Sequence, residues 1–160
     1  VSVYAHLFHV FTDEVDDNFK VMLRFEDGTS VILEASMNCF VLHPRWHISG
    51  ENGTAVINDW DCNGKIVLLA DEKNVPWEEK IVYTSAGPTR SMAPRPSETV
   101  TELSLPVVSP HWSDFYNNVI SAIEGKEQLI VKPSETIRVL SVMDSIFASA
   151  KAGKSIECEI

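Results

Sequence analysis

Apolar and polar side chains alternate over residues 16–36, on both sides of the dipeptide Asp27-Gly28. The apolar positions of this alternation are Phe19, Val21, Leu23, Phe25, Val31, Leu33 and Ala35. A period of two is typical of a strand with one buried face. Asp-Gly favours a tight turn of the primed types because Gly28 can adopt a positive φ without strain. The pattern therefore predicts a β-hairpin with one face in the core.

The second face of this predicted hairpin is not purely polar. Met22 and Ile32 fall on it, among charged and hydroxyl side chains. Because a sheet face that carries large apolar residues is usually covered, we expect helices or another subunit to lie against it.

Further strand patterns precede and follow the hairpin. Residues 1–11 are β-branched and aromatic with little polar relief, which predicts a strand in the middle of a sheet. Other strands are predicted at residues 45–50, 53–57, 65–69, 81–83, 99–103 and 155–160. Residues 85–97 contain three prolines and no periodicity, and this predicts a loop.

Two helices are predicted near the end of the chain. Ser109 and Pro110 suit an N-cap and a first-turn proline, and apolar side chains then recur at helical spacing up to Gly125. Pro133 opens a second amphipathic run that Gly153 ends. The order of elements predicts an α+β fold: a large open, mostly antiparallel β-sheet with the two C-terminal helices packed on one face.

Composition narrows the classes of function. A chain of 160 residues can form one domain with a core that needs no disulfides. Its net charge of −10 argues against nucleic acid or an anionic membrane as a partner. No apolar run reaches the ~20 residues of a membrane helix. Cys39, Cys62 and Cys158 are odd in number and widely spaced, which favours a reducing cytoplasm over a disulfide framework or zinc finger.

The histidines do not predict a metal site. Four lie in the strand-rich half: His6, His9, His43 and His47. On a strand, the first two would point to opposite faces, and the last two would stand ~13 Å apart, whereas zinc needs ligands at ~2 Å. Motifs for a nucleophile or a phosphate-binding glycine loop are also absent from the sequence.

His111 and Trp112 form the better candidate for binding. They lie at a predicted helix start, where free N–H groups attract anionic ligands. The alternative is structural, with a first-turn histidine on a helix that Trp112 packs in place.

Four motifs, taken together and in order, resemble one family. They are the strand and turn at residues 16–29, the strand and turn at 48–54, the helix at 112–125 and the helix end and strand at 149–157. The chain resembles the C-terminal domain of the Gfo/Idh/MocA oxidoreductases, the glucose-fructose oxidoreductase and inositol dehydrogenase group. The resemblance covers nearly the whole chain.

This resemblance implies a parent enzyme with two parts. An N-terminal Rossmann domain, absent from this chain, would bind NAD or NADP, and residues 1–160 would be the single C-terminal domain that supplies substrate contacts and the oligomer interface. The parent would transfer a hydride to or from a sugar or polyol. No catalytic, cofactor-binding or metal-binding residue is assigned in this chain, which is expected to be inactive alone.

Two sets of residues are predicted to carry the domain's contacts. The candidates that border the substrate pocket are Arg45, His47, His111 and Trp112. Met22 and Ile32 are predicted to face another subunit in a homodimer or homotetramer formed through the sheet. The main alternative is an autonomous α+β module that binds a ligand or dimerises without catalysis, and a metal-dependent hydrolase is a more distant one.

Overall fold

A computed structural model describes residues 1–70, 80–90, 95–109 and 111–160. Its strands are β1 (Ser2–Phe8), β2 (Asn18–Arg24), β3 (Ser30–Ser36), β4 (Trp46–Gly50), β5 (Gly53–Ile57), β6 (Gly64–Leu69), β7 (Ile81–Thr84), β8 (Gly87–Arg90), β9 (Val100–Ser104) and β10 (Ile156–Glu157). Its helices are a 3₁₀ turn (Ser97–Thr99), α1 (Trp112–Ile123) and α2 (Pro133–Ala152). The α+β class is confirmed.

The chain divides into two compact units. The first unit comprises Val1–Val41 and Pro110–Ile160, and the second unit comprises Leu42–Ser109. Antiparallel strands form a sheet in the order β10-β1-β2-β3 in the first unit and another in the order β4-β5-β6-β9 in the second. A separate hairpin joins β7 to β8. That residues 1–160 act as one domain stays a prediction.

The core of the first unit lies between its sheet and α2. The buried apolar side chains are Val3, Ala5, Val21, Leu23 and Cys158, and Val142, Ile146 and Ala150 of α2 pack against them. β1 lies between β10 and β2, as its apolar sequence predicted.

Ser149 ties α2 to the sheet. Its side chain is fully buried, and its hydroxyl accepts a hydrogen bond from Ala5 N at 3.0 Å and donates one to Lys154 O at 2.7 Å. β10 pairs with β1 only at Ser2 and Val3, so the Ser149 hydroxyl satisfies a β1 donor beyond the end of that short strand.

The hairpin prediction is confirmed, but the predicted turn type is wrong. Gly28 N donates to Phe25 O at 3.1 Å and Phe25 N to Thr29 O at 2.8 Å, so five residues connect the strands. Gly28 has φ +90°, whereas Asp27 is not among the residues with positive φ. A primed Asp-Gly turn needs positive φ at its first central residue, so this is a turn closed by a glycine bulge. The Asp27 carboxylate accepts from Thr29 N at 2.9 Å and stabilises it.

Three predicted boundaries are also corrected. The loop predicted at residues 85–97 contains β8, which pairs with β7 across a turn at Ser85 and Ala86, with Gly87 at φ +117°. Residues 91–94 of that prediction lie outside the described residues. The N-cap of α1 is His111 and not Ser109, and Pro110 also lies outside the described residues. The final strand is confined to Ile156–Glu157.

The boundaries of α2 agree with the prediction. The helix begins at Pro133 and is followed by Gly153 at φ +63°, a left-handed C-cap. Of the two helices, α2 lies against β1 and β10. α1 is held to the segment that follows it, because the buried Asn118 side chain accepts from Ile130 N at 2.9 Å and donates to Gln128 O at 3.0 Å.

Candidate functional site

β4 positions two of the four predicted pocket residues. It pairs with β5 through a two-residue turn, with Trp46 opposite Ile57 and His47 opposite Val56. Side chains alternate along a strand, so His47 points to the opposite face from Trp46 and Ile48. Arg45 immediately precedes the strand.

The face that carries His47 is the polar face of the second sheet. The ladder continues from His47 through Val56 to Lys65 of β6, whose ammonium lies 2.7 Å from the Glu102 carboxylate of β9. Strands are spaced ~4.8 Å apart, so His47 and Lys65 are separated by about 10 Å. The arrangement offers hydrogen-bond donors and acceptors of both charges.

Arg45 packs on a residue that sequence reasoning missed. Its guanidinium carbon lies 3.4 Å from the centroid of the Trp60 ring, a cation–π contact. Trp60 is nevertheless 82% exposed. The available signal was a single aromatic residue within the turn-forming sequence Asn58-Asp59-Trp60-Asp61-Cys62-Asn63.

The loop that carries Trp60 is closed by its own hydrogen bonds. Asn58 N donates to Asn63 O at 2.7 Å, and the Asp59 carboxylate accepts from Asn63 N at 3.0 Å and Asn63 Nδ2 at 2.8 Å. The Asn63 side chain and backbone hydrogen bonds lower the pKa of Asp59 below its ordinary value. Cys62 is held at φ +60°, a strained conformation for a residue with a Cβ.

His111 caps α1. Its Nδ1 accepts from Ser113 N at 3.3 Å and lies 2.7 Å from Ser113 Oγ, while His111 N donates to Asp114 Oδ2 at 2.9 Å. This capping box uses the Ser113 N–H and places a carboxylate at the helix start. We expected free N–H groups at this end of α1 to attract an anion, and this is wrong for the Ser113 N–H, which is already bonded. The Asp114 carboxylate would also repel an anion.

Trp112, the first residue of α1, is 92% exposed. It does not pack its own helix in place, so the structural alternative given for this residue is wrong. Other apolar side chains along the helix, Phe115, Tyr116, Ile120 and Ile123, are also exposed. Trp112 is therefore exposed at the start of α1.

The four pocket candidates are shared between the two units. Arg45 and His47 belong to the second unit, and His111 and Trp112 to the first. Their grouping in one substrate pocket stays a prediction.

The interface candidates lie where the hairpin pattern placed them. Tyr4, Met22 and Ile32 form a row across three strands, with Tyr4 opposite Met22 and Met22 opposite Ile32. Met22 is 51% and Ile32 70% exposed, on the sheet face away from α2's contacts with the core. In the next row, Lys20 and Glu34 form an ion pair at 3.3 Å.

One open cleft in the first unit has a volume of about 620 Å³. Its charged lining residues are four carboxylates and one guanidinium, Glu26, Asp27, Glu157, Glu159 and Arg138, and Val1, Phe25, Cys158 and Ile160 complete the lining. None of the four pocket candidates lines it. Over the described ranges, no three His, Cys, Asp or Glu side chains group as metal ligands. In the same ranges, no helix has the length and apolar character to cross a membrane.

The described residues do not form a dinucleotide cradle. Such a cradle needs a glycine turn from a strand into a helix. Gly50 and Gly53 instead flank a turn between two strands, and a Cβ on Gly53 would lie 2.5 Å from Val67 O of β6. Gly53 is thus explained by close strand packing, and these residues do not fit a nicotinamide cofactor.

Comparisons with protein-family models and with solved structures gave matches to this chain. The model of the GFO/IDH/MocA C-terminal domain family matches residues 1–56. A solved structure of an NAD-binding protein from Listeria innocua is 32% identical, with a TM-score of 0.79, over 98% of this chain and 44% of that chain. A search of the curated proteins gave no match.

Two more distant structures share the fold. The proposed oxidoreductase yvaA from Bacillus subtilis is 15% identical, with a TM-score of 0.74, over 99% of this chain and 45% of that chain. The WlbA dehydrogenase from Bordetella pertussis, solved with NADH and UDP-GlcNAcA, is 18% identical, with a TM-score of 0.51, over 99% of this chain and 39% of that chain. The chain spans less than half the length of each of these three proteins.

Proposed function

We propose that this chain, a Gfo/Idh/MocA-type C-terminal domain by its family match and its fold, is the substrate-binding and oligomerisation domain of an NAD(P)-dependent oxidoreductase that acts on a sugar or polyol. One observation carries the proposal. Nearly all of the chain aligns, at 32% identity, with less than half of an NAD-binding protein.

The nicotinamide cofactor is bound by another part of the parent protein. The described residues do not fit it, and the Listeria innocua protein extends well beyond the aligned part. The cofactor accepts or donates the hydride when bound. We therefore expect the chain by itself to have no oxidoreductase activity.

A hydroxyl-rich substrate suits the polar groups of the second unit. His47, Lys65 and Glu102 lie on one face of its sheet, and Arg45 stands at the start of β4. Such groups donate hydrogen bonds to vicinal hydroxyl groups and accept hydrogen bonds from them. The sugar nucleotide bound by the WlbA dehydrogenase supports this substrate class for a protein of the same fold. His111 and Trp112 are proposed to contact the substrate from the first unit.

The sheet of the first unit is proposed to bind a second copy in a homodimer or homotetramer. Tyr4, Met22 and Ile32 present a row of large apolar side chains to solvent. Beside that row, Lys20 and Glu34 can form ion pairs with the same residues of a copy related by two-fold symmetry. The cytoplasm is proposed as the compartment because the cysteines are free thiols.

The test is a hydride-transfer assay on the complete gene product. The protein is mixed with NAD⁺ or NADP⁺ and a panel of sugars and polyols, and the reduced cofactor is followed by its absorbance. We expect turnover with at least one member of the panel and none with the isolated chain. A complete product that binds neither cofactor would contradict the proposal and favour the autonomous binding module.

A further inference from the structure

Trp60 is held in solvent by a structured loop. Residues 58–63 connect β5 to β6, and four hydrogen bonds within the loop define its path. Three of them involve Asn63, and the fourth runs from Cys62 N to Asp59 O at 3.3 Å. The loop also holds Cys62 at a positive φ, which requires a defined backbone conformation. The hydrogen bonds of the loop therefore hold the indole in its exposed position.

One face of the indole is occupied and the other is open. The Arg45 guanidinium lies on one face at 3.4 Å from the ring centroid, and the residue as a whole remains 82% exposed. Within the described residues, the opposite face is therefore accessible to a ligand. Arg45 also limits the motion of the ring, which lowers the entropy that a ligand would have to overcome.

The groups around the ring suggest the chemistry of the ligand. An open indole face binds a flat apolar surface, and the guanidinium on its other face holds the ring in place. The exposed carboxylate of Asp61, next in the chain, is an acceptor. Asp59 and Asp61 precede and follow Trp60 in a chain of net charge −10, which disfavours an anion. A neutral sugar ring combines an apolar C–H face with hydroxyl groups at its edge.

We propose that Trp60 is a stacking platform for the ring of a neutral sugar, with Arg45 holding the indole from its other face and Asp61 accepting hydrogen bonds from the sugar hydroxyl groups. The inference rests on the proposed function for its ligand class and adds to it a binding residue and a preference for neutral ring sugars. The platform lies wholly within the second unit.

The test is an NMR titration of the ¹⁵N-labelled chain with D-glucose. The chain has four tryptophans, and the Trp60 indole N–H signal is the one missing from the Trp60→Phe variant. We expect a saturable shift of that signal and a dissociation constant raised about tenfold by Trp60→Ala. Trp60→Phe should retain part of the affinity. Tyr83→Ala, which removes a similarly exposed aromatic residue from β7, should have no effect.

Sorbitol serves as the matched ligand. It carries hydroxyl groups on an open chain without a ring face, so we expect it to bind several-fold more weakly than glucose. Equal affinities for the two, or equal affinities of the native chain and Trp60→Ala, would overturn the platform. A Trp60 signal that shifts with protein concentration and not with sugar would assign the ring to a contact between copies and also overturn it. Circular dichroism of each variant verifies that it is folded.

Activity of the complete gene product separates this inference from the proposed function. If the enzyme oxidises a neutral sugar and Trp60→Ala leaves its KM unchanged, the platform is overturned while the proposed function stands. If glucose binds the chain through Trp60 but the complete product transfers no hydride, the proposed function fails and the platform stands.

Discussion

The two four-stranded sheets of this protein differ in how they are covered. The sheet of the first unit has α2 against it, and Val3, Ala5, Val21 and Leu23 are buried between them. Among the described residues of the second unit, the only helix is the 3₁₀ turn, and none of its strand residues is buried. Strand pairing alone thus gives a sheet, while a buried core requires a second layer.

Without a covering layer among the described residues, the second sheet leaves apolar side chains exposed to solvent. Its less polar face carries Trp46, Ile48, Leu103 and other apolar side chains that remain partly exposed. Apolar area that stays in water contributes nothing to folding. We therefore expect the stability of the chain to reside mainly in the first unit, and the following predictions test this difference in order of expected effect.

Leu23→Ala should cause the largest loss. Leu23 is buried against the core of the first unit, so its truncation leaves a cavity and should lower the free energy of unfolding by about 2–5 kcal/mol. The matched change Leu68→Ala in β6 removes a side chain that is partly exposed and should cost about 1 kcal/mol. Urea unfolding followed by circular dichroism measures both. Equal losses would contradict the contrast between the two sheets.

Ser149→Ala should have the next largest effect. It leaves Ala5 N and Lys154 O without their buried partner, which should cost about 1–3 kcal/mol. Ser141→Ala is the control on the same helix, because the Ser141 hydroxyl is exposed and only donates back to Ile137 O. The same unfolding experiment applies. A Ser149 variant as stable as the Ser141 variant would show that the link between α2 and β1 is dispensable.

Ile32→Lys should alter assembly more than stability. The side chain is 70% exposed, so the free energy of unfolding should change by about 0.5 kcal/mol or less in a monomer. In a sheet-mediated dimer, a lysine in the apolar row would be buried without a partner and should shift the mass to that of a monomer. Light scattering after size exclusion measures it, with Thr29→Lys in the hairpin turn as control. An unchanged oligomer would place the interface elsewhere.

Asp17→Asn should have the smallest effect, and one that depends on pH. Hydrogen bonds from the backbone N–H groups of Phe11, Val10 and Thr12 and from the Asn18 side chain lower the pKa of Asp17 below its ordinary value of 3.8. A carboxyl group whose pKa is lower in the folded chain stabilises the fold at pH values above its unfolded-state pKa. This stabilisation is lost as the pH falls through the folded-state pKa.

The unfolding temperatures of the native chain and Asp17→Asn should therefore converge as the pH falls. At pH 7 Asp17→Asn should unfold at a slightly lower temperature than the native chain, and the difference should shrink below about pH 3.8. Thermal unfolding followed by circular dichroism, with the exposed Asp13→Asn as control, measures this. A difference that grows towards acid pH would refute the role given to the Asp17 carboxylate.

The sequence by itself determined most of the secondary structure. The alternation around Gly28, the apolar β1 segment and the boundaries of α2 at Pro133 and Gly153 all appear as predicted, because periodicity, proline and glycine act on neighbouring residues. The same local patterns carried the family resemblance.

Contacts between distant residues decided what the sequence left open. The His111 cap depends on side-chain geometry that competes with the stronger sequence signal of Ser109 and Pro110. The contact of Arg45 with Trp60 joins two loops across β4 and β5, and no spacing rule links them. The hydroxyl of Ser149 reaches a donor 144 positions away. Such pairings arise only when strands have aligned and helices have packed, and for that reason the tertiary structure, and not the pattern along the chain, identified them.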